Sequence, residues 1–355
     1  MSLLERLKAE IAVDGPISVA DYMSRCLHDP VFGYYATRPA LGEDGDFITA
    51  PLVSQMFGEL IGLWAVETWR RLGAPERFLL VEAGPGDGTL MSDALRAARL
   101  APDFLDAAEL WLVETSAPLI ERQKAALADA PLEPRWTPSL SDLPDDAPII
   151  LIANELLDCL PARQLVRTAE GWAERQVGLD AQGNLAFGLA PVFDRRNEAD
   201  KRVGAVAEIS TGQQALGAQL GGVVARQGGA ALLIDYGRDE PGFGDTLQAL
   251  RRHETVDPLA CPGEADLTVH VDFPAVLAAA WVAEASTVIL AQGAFLRALG
   301  IEQRAAALKR TRPDQATRID RQLARLIDDD QMGLLFKAAC LHSAGFTPPG
   351  FEDAA

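Results

Sequence analysis

The chain has 355 residues, 48% of them hydrophobic and 23% charged, a composition that supports a packed core and excludes global disorder. At the usual ~100–200 residues per domain this makes one large domain or two ordinary ones. With 51 Asp and Glu against 32 Lys and Arg the net charge is −19, which disfavours phosphate-tracking nucleic-acid binding and anionic-membrane binding, since both need a positive surface.

The elements are expected as follows. Ser2–Val13 carries Leu3, Leu4, Leu7 and Ile11 at helical spacing, and Ser18 is placed to cap a second helix over Val19–Leu27. After a Gly- and Asp-containing stretch, Pro51–Leu72 sets Val53, Met56, Phe57, Leu60, Ile61 and Trp64 on one helical face. From Arg77 the pattern changes: strand Phe78–Val81, helix Thr89–Arg99, strand Leu110–Val113, helix Ala117–Ala128, a short strand near Arg135-Trp136 and an apolar strand Ile149–Ala153. Alternating helices and continuously apolar strands imply a parallel sheet covered on both faces. Gln164–Arg167 and Trp172–Gly178, with a turn at Asp180–Asn184, read as an antiparallel excursion. Helix Thr211–Gln227 and strand Ala230–Ile234 resume the rhythm. Arg238–Asp272 is expected to be loop-rich with one strand at Leu267–Phe273, followed by helix Pro274–Ala283, strand Thr287–Leu290 and a last strand Phe336–Leu341. Arg297–Arg325 holds eight basic residues against Glu302, Asp314 and Asp320, a local charge of +5; it reads as helices with a solvated face, a docking surface being the alternative.

Four cysteines and four histidines are scattered without CxxC or HxxxH spacing, so no metal site is expected, and dispersed cysteines suit a reducing compartment. The opening MSLLERLKAEIAVDG is neither a secretory signal nor an Arg/Ser-rich transit peptide, so a cytoplasmic protein of bacterial type is expected. Apolar stretches such as Val276–Ala283 fall far short of the ~18–20 residues that span a bilayer.

Chemistry concentrates at two places. Phe78–Val81 runs through Glu82 into Gly84-Pro85-Gly86-Asp87-Gly88 and then a helix. Glycines let backbone approach a ligand, and the following helix offers free N–H groups at the carboxyl edge of the sheet. The spacing is G-x-G-x-G rather than the G-x-G-x-x-G of dinucleotide enzymes, which speaks against a nucleotide-dependent oxidoreductase. Glu82 before the glycines and Glu114 closing the next strand make the set similar to the S-adenosylmethionine pocket of class I methyltransferases; the alternative is a tight structural turn with Glu114 on the surface. In the second place, Ile149–Ala153 delivers Asn154 and Glu155 to the same edge, with Asp158 three residues on. The run is not N-P-P-Y, which disfavours an adenine-amino methyltransferase. These acids are candidate substrate-handling groups, or else cap and turn residues. His270 and Asp272 alternate along a strand and share a face, to orient substrate or to form a structural pair.

His28-Asp29-Pro30-Val31-Phe32-Gly33-Tyr34-Tyr35, Gly45-Asp46-Phe47-Ile48-Thr49-Ala50-Pro51 and Ser54-Gln55-Met56-Phe57-Gly58-Glu59-Leu60 strongly resemble the opening of the MidA-like methyltransferases. That family includes the mitochondrial arginine methyltransferase that assists assembly of respiratory complex I. The likeness continues through Glu82–Gly88, Asn154–Asp158, Leu233–Gly237, Pro262–Thr268, His270–Phe273 and Gln292–Leu296, from about position 5 to about 345. Ala50-Pro51-Leu52-Val53 stands where relatives carry Ser-Pro-Glu-Ile, so Leu52 lacks their carboxylate.

The resemblance implies an α/β fold of the class I methyltransferase, Rossmann-like type. Its mostly parallel seven-stranded sheet would carry helices on both faces. An N-terminal helical segment, 1–76, would cover the cofactor site of a methyltransferase domain, 77–355, with insertions near 160–207 and 238–330. S-adenosylmethionine is the implied cofactor, with Glu82, Gly84, Gly86 and Gly88 on its methionine side and Glu114 at the ribose. The Gly45–Pro51 loop with Thr49, Ser54 and Gln55 would lie over it. Glu155, supported by Asp158 and Asn154, is the expected catalytic carboxylate for arginine N-methylation of a complex I subunit. The alternative is a non-catalytic complex I assembly protein that retains the fold.

Overall fold

The computed structural model describes residues 2–37, 49–192 and 202–353. Its centre is a sheet whose strands we number β1 (Phe78–Ala83), β2 (Ala108–Val113), β3 (Arg135–Thr137), β4 (Ile149–Asn154), β5 (Gly229–Arg238), β6 (Ser286–Ala291) and β7 (Phe336–His342). The spatial order is β6-β7-β5-β4-β1-β2-β3. The strands are parallel except β7, which runs antiparallel to both β5 and β6. A two-residue strand, Val271–Asp272, adds to the end of β5. This is the expected mostly parallel α/β sheet.

The continuous apolar runs have a simple cause. β1 is buried along its whole length, as is β4 up to Ala153 and β5 up to Gly237. Alternate residues of one strand feed opposite cores: Leu80, Ile150, Ile152 and Leu232 face one way with Phe57, Trp64 and Phe104. Leu79, Val81, Leu151 and Leu233 face the other with Leu220 and Val276.

A third core lies apart from this sheet. Helices Leu3–Asp14 and Val19–His28 bury Leu3, Leu7, Ile11, Tyr22 and Leu27 against Val177 and Leu267. The second helix begins at the expected Ser18 cap, and the first has a cap the sequence reading did not name. Ser2 and Glu5 form a reciprocal cap (Glu5 N to Ser2 Oγ 3.2 Å, Ser2 N to Glu5 Oε2 2.7 Å), and Ser18 Oγ accepts from Asp21 N at 3.0 Å. The antiparallel excursion is a five-stranded sheet built from Arg163–Thr168, Gly171–Leu179, Leu185–Pro191 and Val206–Ile209, with Ile17–Ser18 joined to its edge.

Three expectations need correction. Helix Pro51–Leu72 is two helices, Ala50–Val53 and Gln55–Arg71, because Ser54 adopts extended backbone (φ −163°) and caps the second with its hydroxyl on Met56 N at 3.3 Å. The Arg238–Asp272 stretch is loop-rich as expected but holds more than one strand: Gln248–Arg251, Glu254–Val256 and Asp266–Thr268 form a small antiparallel sheet. Strand Leu267–Phe273 is split: Asp266–Thr268 belongs to that small sheet and Val271–Asp272 to β5, after which Asp272 Oδ1 accepts from Ala275 N at 3.3 Å and starts a helix at Phe273. Among the described residues, no helix is long and apolar enough to cross a membrane.

Helix Gln55–Arg71 crosses helix Thr89–Ala98 at Gly62, where a Cβ would come within 2.3 Å of Ala94 O and 2.6 Å of its Cα. Both are backbone atoms and cannot swing away. Gly62→Ala is therefore expected to lower unfolding free energy by about 1–3 kcal/mol, read as a reduced denaturant midpoint at unchanged slope.

Candidate functional site

The strand order reverses between β1 and β4. The chain leaves β1 toward β2 and leaves β4 toward β5, so the loops at their carboxyl ends part and open a crevice. A cavity of about 580 Å³ sits there, lined by Gly84 and Gly86 after β1, Glu114 after β2, and Glu155, Leu156 and Asp158 after β4. A smaller space of about 60 Å³ adjoins it, reached by Glu82, Asn154 and Asp87, and Thr49 borders both. The N-terminal stretch contributes His28 and Tyr35, whose rings stack with centroids 5.8 Å apart.

The glycine turn leaves β1 through Gly84 at φ 67°, with its N–H donating to Val113 O at 3.1 Å. That left-handed backbone favours glycine, and a Cβ there would press on Leu156 Cδ1 at 2.8 Å beside the cavity. Glu82, at the end of β1, is 2% exposed and its Oε2 has no hydrogen-bond partner among the described residues. Burial drives its carboxyl well above the usual range, and the nearby Asp87 adds to the rise. An acid in that state fits a cationic partner brought from outside, such as an ammonium group.

Glu114 is held from its own chain and from the next helix. Its Oε1 accepts from Thr115 N and Ser116 N, both at 2.8 Å, and its Oε2 accepts from Gln123 Nε2 at 3.2 Å. The fully buried Gln123 also donates to Gly86 O at 2.8 Å and accepts from Trp136 Nε1 at 2.8 Å. One amide thus ties the glycine turn to Glu114. Sequence reading passed over Gln123, although the stripe Leu119, Gln123, Leu127 repeats at four-residue spacing on the buried face.

Glu155 is one of few non-glycine residues with left-handed backbone (φ 50°), held there by its N–H to Ile234 O at 2.8 Å. Its Oε1 accepts from Ala50 N at 2.9 Å and from Asn154 Nδ2 at 3.0 Å. Burial pushes the carboxyl up to about 7, and Asp158 pushes the same way, while Ala50 N–H, Asn154 and Arg325 oppose the rise. Asp158 is also raised by burial. Asp235, at the end of β5, organises the turn between them: its Oδ2 accepts from Leu157 N at 2.8 Å and Asp158 N at 3.2 Å. Asp235 is fully buried, and burial beside Asp158 and Glu155 raises it strongly. Asp266 completes the acidic wall and accepts from Tyr35 Oη at 3.1 Å.

The structure therefore gathers Glu82, Gly84, Gly86, Glu114, Thr49, Asn154, Glu155 and Asp158 around one crevice. Other expected residues stand back from it. Gly88 is the cap of helix Thr89–Ala98, packed on Gln123, and Ser54 is the cap of helix Gln55–Arg71. Gln55 is exposed and donates to Glu59 Oε1 at 3.4 Å. The Gly45–Ile48 part of the expected covering loop lies outside the described residues. Asp272 pairs with Arg238 at 2.6 Å besides capping its helix, and His270 sets its ring edge-on to Tyr236 at 5.5 Å. Among the described residues, no group of three or more His, Cys, Asp or Glu is arranged to hold a metal ion.

Fold and crevice together are those of a class I S-adenosylmethionine-dependent methyltransferase. The 580 Å³ cavity is ample for a nucleoside of that size. Residues 60–290 match the profile of the family described as "Putative S-adenosyl-L-methionine-dependent methyltransferase", and the chain belongs to that family. It is 37% identical over 332 residues to the mitochondrial protein arginine methyltransferase NDUFAF7 of Mus musculus, covering 85% of this chain and 75% of the relative. With the Homo sapiens protein of the same name it shares 35% identity over 366 residues, covering 94% and 82%. A crystal structure from Burkholderia thailandensis, bound to S-adenosyl-homocysteine, superposes with a TM-score of 0.84 at 28% identity, covering 99% of this chain and 95% of that one.

Glu82→Gln should weaken S-adenosyl-homocysteine binding, measured by calorimetry, by about 1.5–3 kcal/mol, roughly ten- to hundred-fold. Its apo melting temperature should not fall, because the carboxyl it removes has an unsatisfied oxygen.

Proposed function

We propose that the protein transfers a methyl group to a guanidinium nitrogen of an arginine on another protein, a subunit of respiratory complex I. The observation that carries this reading is the acidic end of the cavity. Glu155 and Asp158 emerge from one turn, and Asp266 stands beside them. A planar cation suits such a wall, since carboxylates bind guanidinium groups through paired, charge-assisted hydrogen bonds. The names of the relatives, protein arginine methyltransferases, support the same substrate.

When bound, S-adenosylmethionine supplies a methyl already activated on a sulfonium. What remains for the protein is to hold the acceptor nitrogen in line, about 3–3.5 Å from that methyl, and to manage charge. Glu155, fixed by Ala50 N–H and Asn154, pairs with the guanidinium and concentrates its positive charge on the nitrogens that do not react. Asp158, locked by Asp235 through the backbone, positions the other side. As the N–C bond forms, the reacting nitrogen loses a proton; a carboxyl whose affinity for protons lies near neutrality is suited to receive it and pass it to water.

Two outcomes test this. Glu155→Gln should cut kcat for methylation of an arginine-bearing complex I subunit by at least about 10²-fold while S-adenosyl-homocysteine affinity stays within a factor of about two. Methylation by this variant at the wild-type rate would remove Glu155 from the mechanism. In the wild type, kcat/KM should fall as the pH drops through about 7, because a protonated Glu155 no longer pairs with the cation. A profile flat across that range would exclude an ionised Glu155 as the acceptor's partner.

A further inference from the structure

The one basic tract of this acidic chain folds as a helical hairpin, Ile301–Thr311 and Ala316–Ile327, joined by a single 3₁₀ turn at Pro313–Gln315. Its cations divide into two sets. Arg304 is committed inward, bonded to the buried Glu59 at 2.8 and 3.1 Å, and Lys309 is paired with Asp320. Arg310, Arg312, Arg318 and Arg321 are exposed, and among the described residues none of them has an ion-pair partner. Arg318 and Arg321 lie three residues apart on one helix face, and Arg310 and Arg312 close the preceding helix. In a chain of net charge −19, four free arginines on one hairpin are a local reversal of sign.

The hairpin also borders the reaction site. Gln322 Nε2 donates to Val53 O at 2.7 Å, on the short helix whose Ala50 N–H holds Glu155. Arg325 is near enough to Glu155 to favour its ionised form. The helix that carries Arg318 and Arg321 thus adjoins the segment that holds Glu155.

We propose that this hairpin is a docking surface for an acidic segment of the substrate protein, flanking the arginine that enters the cavity. The inference rests on the reading of a protein arginine acceptor. Each half of the surface then selects one sign: the carboxylates take the cation, and Arg310, Arg312, Arg318 and Arg321 take the acidic flank. A bilayer is a poorer fit. The apolar residues Ile319, Leu326 and Ile327 are buried, and none of the exposed large apolar residues falls within 301–327, so nothing is available to insert.

The test is binding of a fluorescent poly-glutamate peptide to the full chain, which needs no methyl transfer. The wild type should bind it, more tightly at low salt. The quadruple variant R310E/R312E/R318E/R321E should bind at least about tenfold more weakly, with S-adenosyl-homocysteine affinity unchanged as the control for folding. The milder Arg→Gln set at the same positions should fall between. Equal affinity in wild type and variants, or no binding by the wild type, overturns the proposal. So does binding to mixed phosphatidylserine–phosphatidylcholine vesicles in place of the peptide. Failure of the arginine reading would instead show as absence of methylated product with peptide binding intact.

Discussion

The constraint on which the rest depends is that β1 and β4 pair as neighbours while their outgoing chains diverge. Parallel strands buried on both faces can offer function only at their ends, because every side chain along them is spent on one core or the other. The parting of the two loops turns that limit into a crevice. Glu82 and the glycine turn come from one side, Asn154, Glu155 and Asp158 from the other, with Glu114 from the next strand. β5 pairs in parallel directly with β4, so that Asp235 at its end reaches across to pin the turn carrying Asp158.

Gathering acids in so small a volume is costly, and the cost explains the behaviour of each. Glu82, Glu155, Asp158 and Asp235 are all pushed toward the neutral form by burial. A fold selected for stability alone would replace them with apolar groups. The backbone at Glu155 shows the same economy, a left-handed conformation held only because Ile234 O, Ala50 N and Asn154 fasten it. The cavity is thus an anionic surface whose charge is latent, and a cation arriving in it is what brings that charge out.

Much of this was legible from residue order. The apolar runs of β1, β4 and β5 and the helix cap Ser18 are where local pattern placed them, because continuous burial and capping are properties of neighbouring residues. The G-x-G-x-G turn with Glu82 and Glu114 could be read as a ligand site, since a strand end and a spacing suffice to define it. What failed was local pattern set against long-range demand. The break at Ser54 hides inside a run that is helical by period, and the Gln248–Thr268 sheet hides in a stretch poor in alternation. Asp272 reads as the partner of His270 along a strand, whereas it caps a helix and pairs with Arg238.

The sequence by itself determined the strand–helix alternation, the glycine turn, the identity of the acids and the family resemblance, all of them encoded in residues close together along the chain. Only the tertiary structure decided that Gln123 joins Gly86 to Glu114, that Asp235 sets the turn after β4, and that Ala50 holds Glu155. It also decided which arginines of the basic hairpin are spent on Glu59 and which stay free. Most of these contacts join segments from tens to hundreds of residues apart. Their geometry follows from strand order and packing, and no local spacing carries that information.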